Sequence, residues 1–403
     1  MVDLSRVRRS GALAPLTDGF AAALTEAGYT PHGAIKQLHL FVHLSRWLDA
    51  EGLALADLDG EAIRCFFAGR REAGHTKLLS PRAAEPLLAY LRAAGVVPPA
   101  APRKSAGPVD DLLVDYRRYL VFERGLLPAS AGGYAVNVRP FLEGLVGPGG
   151  VELDRVTGAA VVAFVVASCP SQSRSSAKRT TKALRSLLRF LHAEGHIEWP
   201  LDHAVPAASG WRLVSLPKRL EPQQITRLLA SCDRSTVVGR RDFAVLITLA
   251  RLGLRAGEVA RLSLHDIDWR AGELVVHGKH SRVDRLPLPV DVGEAIVAYL
   301  RAGRPDGALD RSLFVRVRAP HRSVSDKGVT MMVRQRGRRA GLGAISAHQL
   351  RHTLASEMLR AGGSLPEIGQ VLRHQHPETT AIYAKVDRVA LRQIARPWPG
   401  ASA

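Results

Sequence analysis

The sequence predicts a mainly α protein with a small β-sheet (α+β), and three observations carry that prediction. Apolar residues recur at helical spacing through most of the chain. Two Pro-containing stretches, Gly95–Asp111 ("GVVPPAAPRKSAGPVDD") and Trp199–Pro222, cut it into three segments, each long enough for its own core. One stretch alone, "LSLHDIDWRAGELVVHGKHSRVDRLPLPV" (Leu262–Val290), reads as short strands, with a Gly/His/Ser turn between Val276 and Leu286. The expected domains are 1–98, 108–200 and 216–403, in keeping with a 403-residue chain that exceeds what one core usually holds.

The first two segments read as copies of one pattern: a helical hairpin, a turn, a short helix and a closing helix ending at Gly. "LLAYLRAAG" (Leu87–Gly95) matches "LLRFLHAEG" (Leu187–Gly195) at an offset of 100, and "LDGEAIRCFFA" (Leu58–Ala68) parallels "VTGAAVVAFVVA" (Val156–Ala167). In the second copy, "SRSSAKRTTKALRSLLRFLH" (Ser173–His192) has six basic residues and no acid. At 100° per residue, Arg174, Lys178, Lys182, Arg185 and Arg189 share one face, and Leu184, Leu187, Phe190 and Leu191 the opposite one. Like charges at that spacing repel, so phosphate contact is the better reading than a solvated face. The matching positions of the first copy are Gly74, Leu78, Leu79, Arg82, Glu85 and Ala89, of which one is basic. That copy instead sets His32, Lys36, His39, His43 and Arg46 along one side of another helix.

The charge balance points to a polyanion. Lys and Arg number 56 against 37 Asp and Glu, a formal +19, while apolar content of 46% is ordinary for a globular protein. An anionic membrane surface is the alternative polyanion to nucleic acid; no stretch reaches the roughly 20 apolar residues that span a bilayer, "MVDLSRVRRSGALAPLTDG" has no apolar signal core, and no membrane partner is expected. Cys65, Cys169 and Cys232 are scattered, forming neither a disulfide framework nor a metal cluster. A cytoplasmic setting is expected, with double-stranded DNA as the leading partner.

In the third segment, "PQQITRLLASC", "GRRDFAVLITLARLGL" and "DVGEAIVAYLRAG" read as helices, the last capped by Asp291. Four stretches then stand in order: "GLRAGEVARL" with Arg255, "VVHGKHSRVDRLPLP" with Lys279, "HQLRHT" with His348 and Arg351, and "LRHQHPETTAIY" with His374 and Tyr383. Together they closely resemble the catalytic domain of tyrosine recombinases, the phage-integrase and Xer-type family. That family orders its residues Arg, Lys, His-x-x-Arg, His or Trp, Tyr, with the Lys on a hairpin turn. The second segment is similar to the family's core-binding domain, and the first is an extension that two-domain members lack.

Elementary chemistry asks for the same parts. Displacement at a phosphodiester builds charge on two non-bridging oxygens, which a planar guanidinium fork can bond together. Arg255 and Arg351 suit that role, with His374 as a further donor. A leaving deoxyribose oxygen needs a proton, which Lys279 on a hairpin tip can deliver. No metal site or cofactor is expected, so the nucleophile must be a side chain. A free phenol titrates near about 10, so Tyr383 needs a base, for which His348 is the candidate. Of the two tyrosines after Tyr134, Tyr299 reads as core, leaving Tyr383. The resemblance implies a 3′-phosphotyrosine, a free 5′-hydroxyl, resealing without ATP, a homotetramer on DNA (or assembly with related recombinases), and a C-shaped clamp around the duplex.

Around these residues, His352 and Glu258 are expected to brace the site, His280 and His376 to be solvated, and Arg334, Arg336, Arg338 and Arg339 in "VRQRGRRAG" to contact phosphates. Where the family often has Gly, this chain has Arg373, expected to add a DNA contact or alter the loop. "KVDRVALRQIARPW" resembles the family's tail that packs on a neighbouring subunit. The extra N-terminal copy favours a mobile-element or transposon integrase. A type IB topoisomerase and a catalytically silent DNA-binding accessory protein are the alternatives.

Overall fold

The computed structural model describes residues 10–99, 107–207, 219–278, 282–308 and 310–386. Most of them are helical, with one two-stranded and one three-stranded antiparallel sheet. Contacts group the chain into two compact units, Ala101–Val214 on one side and Met1–Ala100 with Ser215–Ala403 on the other. Among the described residues, no helix is long and apolar enough to cross a membrane.

The N-terminal part of the larger unit holds α1 (Thr17–Glu26), α2 (Pro31–Glu51), α3 (Gly60–Glu72) and α4 (Glu85–Ala93). Thr30 caps α2 through its hydroxyl, and Asp59 caps α3 by accepting from the amides of Glu61 and Ala62. Phe20, Phe41, Phe66, Phe67, Leu87 and Leu91 close a core of their own.

The smaller unit repeats that order with α5 (Pro108–Phe122), α6 (Pro128–Glu143), α7 (Gly158–Ser168) and α8 (Arg174–Ala193), plus strands β1 (Val146–Gly147) and β2 (Gly150–Val151) between α6 and α7. Pro108 and Pro128 stand at helix starts, where a missing N–H costs nothing. Leu184, Leu187, Phe190 and Leu191 of α8 are buried as its periodicity predicts. Its charged face divides. Arg174, Lys178, Lys182 and Arg189 are exposed and Arg185 is half-buried; Arg185 donates to the carbonyls of Val205 and Pro206, and Arg189 Nε lies 2.7 Å from Asp202 Oδ2. Those last two arginines tie down the turn after the helix, a structural task that the helical wheel does not reveal. In the first copy only the second half of the matching stretch is helical, as α4; before it Gly74 takes φ +76° and Pro81 opens a short 3₁₀ turn. The exposed basic half of α8 therefore has no helical counterpart there.

The C-terminal part of the larger unit begins with α9 (Pro222–Ala230), α10 (Val237–Leu252) and α11 (Ala256–Arg261). Strands β3 (Ile267–Asp268), β4 (Glu273–His277) and β5 (Val283–Pro287) follow in sheet order β3-β4-β5, with His277 paired to Val283 beside the predicted turn. Next come α12 (Val290–Ala302), α13 (Asp326–Arg339), α14 (Ala347–Arg360), α15 (Leu365–Val371) and α16 (Pro377–Thr380), and a 3₁₀ turn over Ala381–Val386. Ser325, Ser346 and Ser364 cap the starts of α13, α14 and α15. Tyr299 is core, as expected, with its hydroxyl accepting from the Val315 amide.

Two expectations are corrected. Asp291 is not the cap of α12: Pro289 holds that position, and the Asp291 carboxylate instead pairs with Arg251 Nε at 2.7 Å. Arg336 is not a phosphate contact either. It is 4% exposed, its Nε lies 2.8 Å from Asp242 Oδ2, and its Nη1 donates to the Ser231 carbonyl. One turn of α13 thus sends Arg336 into the core while Arg334, Arg338 and Arg339 face solvent, because successive helical residues rotate by 100°.

Candidate active site

The site is built around a glycine. Helix α10 ends at Gly253 with φ +59°, a left-handed turn that side chains resist, and a Cβ there would lie 2.8 Å from Leu372 Cδ2. This tight reversal frees the Gly253 carbonyl to accept from Arg351 Nη1 at 2.6 Å. Arg351 Nη2 donates to the Leu372 carbonyl, so one guanidinium joins the end of α10 to the end of α15. Arg351 is 1% exposed. Burial first, then the guanidiniums of Arg255 and Arg373, lower its pKa to about 10, which leaves it charged at neutral pH.

Arg255 sits two residues past Gly253, at the start of α11. Its amide donates to Glu258 Oε2 at 2.8 Å, and its Nη1 to Oε1 at 2.6 Å. Glu258 is 3% exposed. Burial alone would raise its carboxyl, but the Arg255 amide and the Arg373 charge overcome that and hold it low. Glu258 therefore braces Arg255, as its spacing suggests.

Helix α14 presents His348 and His352 one turn apart, with rings edge to face at 4.2 Å. The Tyr383 hydroxyl lies 2.8 Å from His352 Nδ1. This differs from the sequence reading, which gave the hydroxyl to His348 and made His352 a brace. The i, i+4 spacing in "HQLRH" puts both rings on one face and was the signal available. Tyr383 is 1% exposed, packed with Ala355, Ile368 and Leu372. Burial raises its pKa to about 12, only partly offset by Arg351. The ring of His374 lies parallel to that of Tyr383 at 6.5 Å, and His374 Nδ1 is 2.7 Å from Thr380 Oγ1.

A cavity of about 180 Å³ opens beside these groups, lined by Arg255, Glu258, Gly278, Arg282, Arg373 and His374. Lys279 and His280, expected between Gly278 and Arg282, lie outside the described residues, as does the tail after Val386. His376 is exposed, as expected. Arg373 meets only the second of its two expectations, an altered loop, with φ +56°. It is 5% exposed and turned inward, with Nη2 2.9 Å from Glu258 Oε2, so it is no added surface contact.

His352 and His374 are both pushed down to about 4 from an ordinary 6.5, by burial first and then by neighbouring cationic and imidazole groups. Unfolded, they take up protons near 6.5; folded, they stay neutral to about 4. The unfolded chain therefore binds more protons between those values, and stability falls as pH drops through that window. The Tm drop between pH 7 and pH 5 is expected to be smaller for His374→Gln than for the wild type. Equal drops in paired melting scans would remove this account.

Comparison with known proteins decides the family. The profile of the phage integrase family matches residues 218–389, and that of the phage integrase N-terminal SAM-like domain matches 113–195. The putative integrase/recombinase y4rA of Sinorhizobium fredii is 41% identical over 94% of this chain and 93% of its own length. Tyrosine recombinase XerD of Mycobacterium tuberculosis is 31% identical over 72% of this chain and 96% of its own. The chain belongs to the phage integrase family of tyrosine recombinases. Its fold is also that of the XerH site-specific recombinase crystallised on palindromic difH substrate, with TM-score 0.58, 18% identity, and coverage of 74% and 98%. In this recombinase the SAM-like match spans most of α5 to α8, leaving α1 to α4 outside it. The y4rA match is too long to exclude most of that N-terminal extension, so the extension is shared with at least one relative.

Proposed function

We propose that this recombinase cuts and rejoins duplex DNA through a phosphotyrosine. The observation that carries the reading is the packing of Tyr383 against His352 and His374, with His348 edge to face on His352 and Arg351 close by, beside a cavity lined by Arg255 and His374. In the proposed step the Tyr383 oxygen attacks phosphorus and loses its proton to an imidazole. The bond to the 5′ oxygen breaks, and Lys279 protonates that leaving oxygen. The products are a 3′-phosphotyrosine and a free 5′-hydroxyl, and because one phosphoester replaces another, reversal needs no ATP.

A ring 1% exposed cannot present its oxygen to a phosphate where it stands, so the reaction requires Tyr383 to leave its pocket. We assign His352 to holding the neutral phenol in the docked position. His348, exposed and close enough to Arg351 and Arg255 for both charges to lower its pKa after desolvation, takes the proton at the phosphate. Trapping on a nicked duplex that loses its short 5′ strand after cleavage tests the reading. A covalent protein–DNA adduct is expected, and its absence under conditions where the protein binds that duplex sinks it.

DNA is grasped, in this reading, partly by α8 and by Arg334, Arg338 and Arg339. Changing Arg174, Lys178 and Lys182 together to Gln is expected to weaken binding on all sequences alike. The slope of log affinity against log salt should flatten by at most about 3, since each phosphate contact contributes about 0.9. An unchanged slope removes α8 from the interface. The solved relatives include complexes described as a dimer and a tetramer of lambda integrase on DNA, which supports assembly as a tetramer here. The shared N-terminal extension and a match to a putative integrase favour a mobile-element role, in the cytoplasm.

A further inference from the structure

Among the described residues, only Leu78 and Arg373 take a positive φ without being glycine. Arg373 holds φ +56°, a conformation that glycine adopts freely and a branched or long side chain resists. Such a residue persists where its side chain has work that a glycine cannot do. Here that side chain is buried against the catalytic cluster, immediately before His374. Its Nη2 donates to Glu258 Oε2, and its Nη1 to the Val371 carbonyl. Its own peptide neighbour supplies the Leu372 carbonyl that receives Arg351.

Glu258 is the link. One of its oxygens holds Arg255 Nη1, and the other receives both the Arg255 amide and Arg373. A carboxylate paired with Arg255 alone would fix the guanidinium in place while cancelling its charge, and a phosphate arriving in the cavity would meet a neutral pair. A second guanidinium on the same carboxylate restores the net positive charge without loosening the grip on Arg255. The charge of Arg373 also reaches Arg351, whose pKa it helps to lower.

The geometry points to Arg373 as a positioning residue for the strand-transfer reaction: through Glu258 it locks Arg255 and keeps the phosphate cavity net positive. This rests on the functional reading above, in which Arg255 grips the scissile phosphate. It also predicts a pattern that a merely structural residue would not give. Ground-state binding to DNA depends on many phosphate contacts and should change little, while the chemical step, which depends on the placement of one guanidinium, should suffer.

The test is single-turnover adduct formation by the full chain on the nicked duplex, at protein concentrations that saturate it, with DNA affinity measured in a Tyr383→Phe background. Arg373→Gly relieves the backbone strain and deletes the guanidinium. It is expected to slow adduct formation by about tenfold or more while changing affinity less than about threefold. Arg373→Lys, which keeps a charge near Glu258, should be slowed less and serves as the second variant if the glycine protein melts early. In a Glu258→Gln background, where no carboxylate needs neutralising, Arg373→Gly should cost clearly less than it does alone. Wild-type rates for folded Arg373→Gly, a Lys variant no better than the Gly variant, or full additivity with Glu258→Gln each overturn the assignment. Failure of the wild type itself to form an adduct overturns the functional reading, and this inference with it.

Discussion

A Tyr383→Phe protein is expected to form no covalent adduct with DNA, a loss of at least about 10³-fold in cleavage, while binding the same duplex normally. The physical case rests on how little else the change disturbs. The phenylalanine ring fills the same pocket among Ala355, Ile368 and Leu372, so no cavity appears. The hydroxyl is lost, which leaves His352 Nδ1 without its partner and costs about 1 kcal/mol of stability. Tm should therefore fall by only a few degrees, and gel-shift affinity should hold. Adduct formation at another side chain, identified by peptide mapping of the wild-type complex, would displace Tyr383 as nucleophile.

Arg351→Lys is expected to cut adduct formation by about 10²-fold or more and to lower Tm measurably, although the charge is retained. A lysine ammonium presents a point charge on a flexible stem, whereas the guanidinium bonds two groups in fixed directions. In this fold those directions are spoken for on the inner side. The carbonyls of Gly253 and Leu372 accept from Nη1 and Nη2, and leaving either buried and unpaired costs about 1–3 kcal/mol. The same residue thus couples structure to chemistry: it pins the ends of α10 and α15 together and supplies fixed positive charge beside Tyr383. Arg351→Ala should be worse on both counts. A Lys variant with wild-type cleavage and melting would show that the fork geometry is dispensable.

The outline of the catalytic segment was legible because short-range rules govern it. Helical periodicity marks α9, α10 and α12, and alternation with a Gly turn marks the β4–β5 hairpin. Of the residues the ordered motifs named, Arg255 and His374 line the cavity, while Arg351 and Tyr383 are buried. Errors arose where a side chain's partner comes from far along the chain. Arg336 looked like one of four surface arginines, yet it meets Asp242, 94 positions away. Arg185 and Arg189 fell on a clean basic stripe, but Asp202 pairs with Arg189, and the Val205 and Pro206 carbonyls accept from Arg185.

Sequence alone therefore determined the ordered arginines and histidines, the phenol, the helical framework and the small sheet. Those follow from residue type and local spacing, which survive any tertiary arrangement. Tertiary packing decided which cations are buried and paired within the fold, among them Arg336, Arg351 and Arg373. It also placed the Tyr383 oxygen on His352 rather than His348, and drew Arg373 onto Glu258. Such choices depend on the difference between a solvated charge and a buried, paired one, and that difference exists only once distant segments have excluded water from around it.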